Sequence, residues 1–178
     1  GPQAIVETIF GKNNPSGKLP VSVAYDASQM PLFYNHSNGS SYDVNTQTFF
    51  SSYIDLPHEP RYYFGYGQSY SDFSYSKLHL DDDIISPSQP LQFSIAVTNN
   101  SERKGTEIVQ AYASDLVASV MRPVRALVGF TRVNLEPHAT KFVHFTLAAS
   151  QLALLNSEMH WVTEAGEFEL QVGSSSKT

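Results

Sequence analysis

The stretch LQFSIAVTNN, residues 91–100, alternates apolar and polar side chains and ends in a polar turn. A period of two places the apolar side chains on one face of an extended strand. A second stretch, KFVHFTLA at residues 141–148, alternates in the same way through Val143, Phe145 and Leu147. His144 then falls on the opposite, outward face. We therefore predict two β-strands, each with one buried face.

Further strand patterns recur at roughly ten-residue intervals from about Ser71 onward. TEIVQAYASD continues the alternation through Ile108, Gln110 and Tyr112, and Gly129 is placed to form a β-bulge in a later strand. The remaining segments with strand patterns are SKLHLD (76–81), VRALVGFTRVNL (124–135) and, after a helical turn at SQLALLN (150–156), Trp161 and GEFELQVGSS (166–175). Seven short strands with polar turns predict a β-sandwich of the immunoglobulin or fibronectin III type.

The first 60 residues have a different character. Ala4, Ile5, Ile9 and Phe10 share one face at helical spacing, and Gly11 is placed to cap a helix C-terminus. LPVSVAY (19–25) predicts one strand, whereas residues 26–60 have no period and predict a long strap. Such a segment cannot bury a core of its own, so we expect it to pack against other protein.

Between these two regions lies YYFGYGQSYSDFSYS, residues 62–76, with seven aromatic rings in fifteen positions. Tyrosine rings are large and amphipathic, so this density has two explanations. The rings are either a platform on which a sugar stacks or a seam that joins two pieces of protein.

Composition excludes several classes of function. The chain has 178 residues, 41% hydrophobic and 16% charged, which is enough for a packed core. A formal net charge of −6 disfavours nucleic acid and anionic membranes as partners. Cysteine is absent, and no apolar run approaches the roughly 18 residues that span a bilayer.

The polar residues indicate neither a metal site nor a cofactor site. Asp81, Asp82 and Asp83 could chelate a hard cation, but a solvated turn explains them as well. The histidines are not spaced as metal ligands. The carboxylate pairs, Asp55 with Glu59 and Glu164 with Glu167, lie on a strap or a turn, where nothing is expected to raise a pKa as a general acid requires. We predict no catalytic residue, metal or cofactor in this chain.

Four stretches together resemble the C-terminal third of glycoside hydrolase family 3, the β-glucosidase and β-xylosidase family. They are GPQAIVETIFGKNNPSGKLPVSV (1–23), EPRYYFGYGQSYSDFSYS (59–76), IVQAYASDLVASVMRPVRALVGFTRVNLEP (108–137) and MHWVTEAGEFELQVGSSS (159–176). The order of NPSGKLP, FGYGQSY and RPVRALVGF is specific, and the resemblance covers essentially the whole chain.

The resemblance implies a mainly β chain in three parts. Residues 1–25 would be the last helix and strand of an α/β sandwich domain, 26–70 the connecting strap and aromatic seam, and 71–178 a fibronectin-III-like domain. In this family both catalytic carboxylates lie upstream of the matched region. The chain would then be the structural C-terminal part of a retaining, exo-acting β-glycosidase that removes terminal β-D-glucosyl or β-D-xylosyl residues.

The same resemblance favours the seam as the role of the aromatic stretch. It leaves Tyr53, Arg61 and Tyr62 as candidates for the rim of a neighbouring substrate site. The expected partner is the N-terminal catalytic polypeptide of the same enzyme, which would bind most of the β-linked oligosaccharide. Ile5, Ile9 and Phe10 are expected to pack against that partner.

Three tripeptides fit the acceptor pattern for N-glycosylation, at Asn35, Asn38 and Asn99. With the resemblance, they favour a secreted glycoprotein, or a periplasmic protein in a bacterium. The alternative is a stand-alone carbohydrate-binding or interaction sandwich.

Overall fold

The computed structural model describes residues 1–37, 55–57, 59–86 and 88–177. Short 3-10 helices occur at Ala27–Gln29 and Ala149–Leu152. The other elements are α1 (Pro2–Ile9), β1 (Phe73–Tyr75), β2 (His79–Leu80), β3 (Leu91–Asn99), β4 (Gly105–Asp115), β5 (Ala126–Leu135), β6 (Thr140–Leu147), β7 (Leu154–Leu155), β8 (Trp161–Val162) and β9 (Phe168–Gly173).

The strands form two antiparallel sheets. In sheet I, β3 pairs with β1 and β2 on one edge and with β6 on the other. Sheet II has the order β5-β4-β9, and β7 pairs with β8 in a separate two-stranded ladder. The predicted sandwich is confirmed. The sequence pattern did not reveal β1, which lies inside the aromatic stretch.

The core lies between the two sheets and follows the predicted alternation. Phe93 of β3 stands opposite Phe145 of β6, and their rings stack with centroids 5.2 Å apart. His144 faces outward, as predicted. The apolar side chains buried in this core are Leu91, Phe93, Ile95, Val97, Val109, Ala111, Ala113, Val133, Leu135, Val143, Phe145, Leu147 and Leu152. Burial of each large side chain contributes about 1.5–3 kcal/mol.

Strand β4 differs from its prediction in one respect. Val109, Ala111 and Ala113 face the core, whereas Gln110 and Tyr112 lie on the other face, and that face is also buried. A strand covered on both sides loses the contrast between inward and outward residues. The alternation through Gln110 and Tyr112 therefore marks the outer face of sheet II, which the N-terminal segment covers.

The bulge predicted in β5 is present beside Gly129. Ala111 of β4 pairs with Gly129 and Tyr112 pairs with Leu127, so Val128 is the extra residue. A Cβ added at Gly129 would lie 3.2 Å from Cδ1 of Phe145. The glycine thus allows close packing beside the bulge.

Helix α1 confirms the predicted helix and its cap. Gly11 has a φ of +70°, its N–H donates to Thr8 O, and Lys12 N donates to Glu7 O. These two bonds form a Schellman motif, which satisfies carbonyls that a helix end leaves without partners. Glycine suits this left-handed position because it has no Cβ.

The strand predicted at residues 19–25 is wrong. With the residues that the structure describes, this segment makes only an isolated bridge, between Val23 and Tyr62. Further backbone bonds join Leu19 to Tyr66 and to Gly65. Midway between these contacts, Phe64 O accepts a hydrogen bond from Ser176 N, and the described bonds do not join into a regular ladder.

The strap contains one short helix that the sequence did not indicate. Asp26 Oδ1 accepts a hydrogen bond of 2.9 Å from Ser28 N at the start of the 3-10 helix. Gln29 is buried, and its Nε2 donates to Pro57 O at 2.6 Å. The strap residues 38–54 and His58 lie outside the described residues. The contact of Gln29 with Pro57 therefore joins two described parts of the strap.

Candidate functional site

The aromatic stretch packs against the outer face of sheet II. Phe64 stacks on Tyr34 of the strap with ring centroids 4.1 Å apart, and Tyr34 meets the edge of Tyr112 at 6.1 Å. Tyr112 is 1% exposed, and burial raises the pKa of its hydroxyl. We call this contact of residues 17–37 and 62–67 with the outer face of sheet II the seam.

Gln110 holds the seam together by hydrogen bonds. Its Nε2 donates to Gly65 O at 3.1 Å and to Ser174 O at 2.7 Å, and its Oε1 accepts from Tyr112 Oη at 2.6 Å. The side chain is 3% exposed. A buried amide with all these partners is stabilising, but one that loses them is costly. Gln110 therefore couples β4, the aromatic stretch and the residues after β9.

Two glycines allow the backbone to enter the seam. A Cβ on Gly65, whose φ is +79°, would lie 2.0 Å from Gln110 Oε1. A Cβ on Gly67 would lie 2.2 Å from the carbonyl oxygen of Gly17. The backbone thus comes close to a side-chain amide at Gly65 and to a backbone carbonyl at Gly67.

A buried ion pair lies at one edge of the seam. Lys18 Nζ is 2.9 Å from Glu107 Oε1, and their side chains are 12% and 5% exposed. Tyr75 Oη donates to the same carboxylate oxygen at 2.9 Å. Burial, followed by the charge of Glu107, raises the pKa of the Tyr75 hydroxyl. Removing either charge would leave the other buried without its partner.

The end of α1 is tied to the β3–β4 turn. Arg103 Nη2 donates to Gly11 O, and Tyr70 Oη donates to Thr8 O at 2.7 Å. Asn14 Nδ2 donates to Lys104 O at 3.0 Å. These contacts orient the helix against one end of the sandwich.

The apolar face of α1 does not pack on the sandwich. Ile5 is 63% exposed, Ile9 67% and Phe10 79%. Val21, Tyr25 and other apolar side chains of the N-terminal segment are also exposed. The helix is thus anchored by its backbone end while its apolar side chains remain open to a partner.

Two of the three predicted rim residues can be placed. Both are exposed: Arg61 lies next to the seam and Tyr62 begins its part at residues 62–67, with the Arg61 guanidinium carbon 5.6 Å from the centre of the Tyr62 ring. The Tyr62 ring lies 5.0 Å from that of Tyr66. Tyr53 lies outside the described residues. Arg61 and Tyr62 could stack against a sugar, and their role as rim residues stays a prediction.

The acceptor asparagines differ in their surroundings. Asn35 is exposed, and Asn38 lies outside the described residues. Asn99 is fully buried, and its Nδ2 donates to three carbonyls, those of Arg103, Leu135 and Glu136. A glycan on that nitrogen is incompatible with this packing, so the fold does not support glycosylation of Asn99.

Neither Glu164 nor Glu59 has surroundings suited to a general acid. Hydrogen bonds from Ser119 lower the pKa of Glu164, and a hydrogen bond from Tyr63 lowers that of Glu59. A general acid needs the opposite shift. In the part of the chain that the structure describes, no group of three histidine or acidic side chains is arranged to hold a metal ion.

The geometry defines an immunoglobulin-like sandwich joined through a seam to an N-terminal segment that carries an exposed helix. Residues 1–70 match the glycosyl hydrolase family 3 C-terminal domain, and residues 107–176 match the fibronectin type III-like domain. The chain belongs to glycosyl hydrolase family 3, and it corresponds to the C-terminal region of its members.

Beta-glucosidases and beta-xylosidases are similar to this chain along nearly its whole length. The chain is 36% identical to a periplasmic beta-glucosidase of Salmonella typhimurium and 37% identical to a beta-xylosidase of Formosa agariphila, over 99% and 98% of its length. It superimposes on the crystal structure of a beta-glucosidase from Listeria innocua in complex with gluconolactone, with a TM-score of 0.88, 34% identity and 96% of this chain covered. The chain spans 23% of each curated relative and 24% of the Listeria chain.

Sequence reasoning missed the polar residues that build the seam. Gln110, Glu107, Lys18 and Arg103 each join the N-terminal segment to the sandwich. One signal was available, since Gln110 is the only polar residue between Ile108 and Ala113 apart from the Tyr112 hydroxyl. A polar side chain in such a place needs a hydrogen-bonding partner.

Proposed function

We propose that this chain is the structural C-terminal part of a retaining, exo-acting β-glycosidase that hydrolyses terminal β-D-glucosyl or β-D-xylosyl residues. The catalytic carboxylates would lie on the N-terminal part of the same enzyme. The chain would stabilise that part and shape the edge of its substrate site. The relatives named as glucosidases and xylosidases support this reaction class.

The exposed helix face is the single observation that carries the proposal. A helix whose apolar side chains are 63–79% exposed, yet whose end is fixed by Arg103, is ready to bind a further protein surface. The N-terminal part of the enzyme is the partner that the family match supports. Ile5, Ile9 and Phe10 would be buried in that contact.

The proposal extends to the substrate and to location. Arg61 and Tyr62, with Tyr53, would border the site in which a β-linked oligosaccharide binds. The enzyme would be secreted, or periplasmic in a bacterium, and glycosylation at Asn35 or Asn38 would follow from a eukaryotic source. None of the helices among the described residues is long and apolar enough to cross a bilayer.

A stand-alone carbohydrate-binding module is the second candidate. Exposed aromatic rings favour it, among them Phe33 at 61% and Trp161 at 74% exposure. A module that works alone would gain nothing from the open apolar face of α1. The first proposal therefore explains more of the surface.

The test is a glycosidase assay on aryl β-glucosides and aryl β-xylosides. The pure 178-residue chain should show no turnover, whereas the same chain co-expressed with the N-terminal part of its enzyme should be active. A helix variant carrying Ile5→Ala, Ile9→Ala and Phe10→Ala should lose the partner and the activity together. Turnover by the pure chain that survives removal of contaminating hydrolases would contradict the proposal.

A further inference from the structure

A cavity of about 680 Å³ opens at the end of the sandwich opposite α1. The helix is anchored at Arg103, where β3 has ended and β4 begins, whereas the cavity lies around Leu91 and Leu116, where β3 begins and β4 has ended. At about 3.3 Å per residue, a strand of this length separates the two ends by roughly 30 Å. The cavity is therefore separate from the seam and from the proposed partner surface.

The wall of the cavity is apolar and comes from both sheets. Leu78, Leu91 and Leu147 contribute from the side of sheet I, and Phe168 and Leu170 from sheet II. Its volume is in the range of sites that bind small organic ligands, about 300–1,000 Å³. The cavity can thus hold a compact apolar body.

Exposed apolar side chains continue the wall to the surface. Ile84 is 69% exposed, Leu116 53% and Leu80 39%, and all three line the cavity. Contiguous apolar surface of this kind, open to water, marks a contact site. A ligand entering here would cover these side chains as well as the interior wall.

The charged side chains among the described lining residues are all acidic, and outside the lining Arg122 Nη2 donates to Leu152 O at 3.2 Å. Asp83, Glu164 and Glu167 line it, and no lysine, arginine or histidine is found among the described lining residues. Carboxylates only accept hydrogen bonds. The Glu164 carboxylate is held in place by Ser119, whose N–H donates to it at 3.0 Å. Anionic head groups are therefore repelled, and head groups with hydrogen-bond donors are complementary.

We propose that this cavity binds a single-chain amphiphile whose head group donates hydrogen bonds and carries no negative charge. The alkyl chain would occupy the apolar wall, and the head group would lie between Asp83 and Glu167 at the mouth. Either hydroxyl groups or an ammonium group would supply the donors. The site does not depend on the glycosidase proposal.

The test is calorimetric titration of the full 178-residue chain with three ligands of equal alkyl length, each below its micelle concentration. Decyl β-glucoside carries hydroxyl donors, decylammonium carries a charged donor, and decyl sulfate is anionic. We expect at least one of the first two to bind about tenfold more tightly than decyl sulfate. Which of them binds better identifies the source of the donors.

Two variants locate the binding. The exposed pair Asp83→Lys and Glu167→Lys should reverse the preference in favour of decyl sulfate, while Glu169→Lys, on β9 but not in the cavity lining, should leave it unchanged. Ala165→Trp at the mouth should weaken all three ligands. If Ala165→Trp does not fold, the ligand preference of the charge-reversal variant by itself tests the location of the site. Equal binding of the three ligands, no binding of either donor ligand, or a preference that survives charge reversal would overturn the proposal.

Discussion

Replacement of Gly65 by alanine should break the seam at its centre. Gly65 has a φ of +79°, and the new Cβ would lie 2.0 Å from Gln110 Oε1 and 2.8 Å from Gln110 Cδ. No real structure tolerates such distances, so Gln110 must move. Its hydrogen bonds to Gly65 O and Ser174 O would then be lost or weakened.

The expected cost has two parts. A left-handed conformation costs an alanine about 1 kcal/mol. Leaving buried groups of Gln110 and its partners without hydrogen bonds costs about 1–3 kcal/mol for each interaction. With two such hydrogen bonds, the Gly65→Ala chain should therefore lose about 3–7 kcal/mol of its free energy of unfolding. For a chain of this length, that lowers Tm by roughly 6 °C or more.

Thermal and urea denaturation of the full chain measure this loss, with Gly166→Ala as the matched control. Gly166 has no positive φ, and its added Cβ would lie 3.7 Å from Val117 O, an ordinary contact. The control should stay within about 0.5 kcal/mol of wild type. The account is contradicted if Gly65→Ala and Gly166→Ala have the same free energy of unfolding and the backbone amides of the seam exchange hydrogen at the wild-type rate in Gly65→Ala.

Three further outcomes are expected. Lys18→Met should destabilise the chain by about 3 kcal/mol in urea because it leaves Glu107 buried without its cation, whereas Lys104→Met, in an exposed pair, should cost less than about 1 kcal/mol; equal effects would contradict the buried pair. The helix variant should unfold within about 1 kcal/mol of wild type in the isolated chain, because its side chains are largely exposed, and a large loss would mean that they pack on the sandwich. Ser119 lowers the pKa of Glu164 from 4.5, so this contact stabilises the fold above that pH and is lost as the pH falls through the lowered value; Ser119→Ala should flatten this acid limb of the stability profile, and an unchanged profile would exclude the contact.

The sandwich was predictable because β3 and β6 each turn an alternating set of apolar side chains toward the core. Phe93 and Phe145 fall on the period-two pattern and meet in the core, as the pattern requires. Residues 19–25 show where local pattern fails. A strand needs a partner with which it can form a continuous ladder. Midway along the segment from Tyr62 to Tyr66, Phe64 O accepts from Ser176 N of a distant part of the chain, and among the described residues only the bridge at Val23 forms.

The sequence predicted where the seam lies but not which polar contacts hold it together. The density of rings located it, yet only the fold brings Gln110 to Gly65 and Lys18 to Glu107, across 45 and 89 positions of the chain. Asn99 shows the same limit. Its tripeptide fits a glycan acceptor, and only the tertiary structure reveals that three carbonyls already bind its amide. Contacts between distant residues carry no local signal.

The mass of the undenatured particle tests the central claim most directly. Light scattering or native mass spectrometry of the purified material should give a species far heavier than the 178-residue chain, and this species should contain the chain and a second polypeptide. In the helix variant, with Ile5, Ile9 and Phe10 replaced by alanine, the chain should no longer be bound in this species. A well-behaved monomer with the mass of this chain alone, formed in the presence of the N-terminal part, would contradict the account.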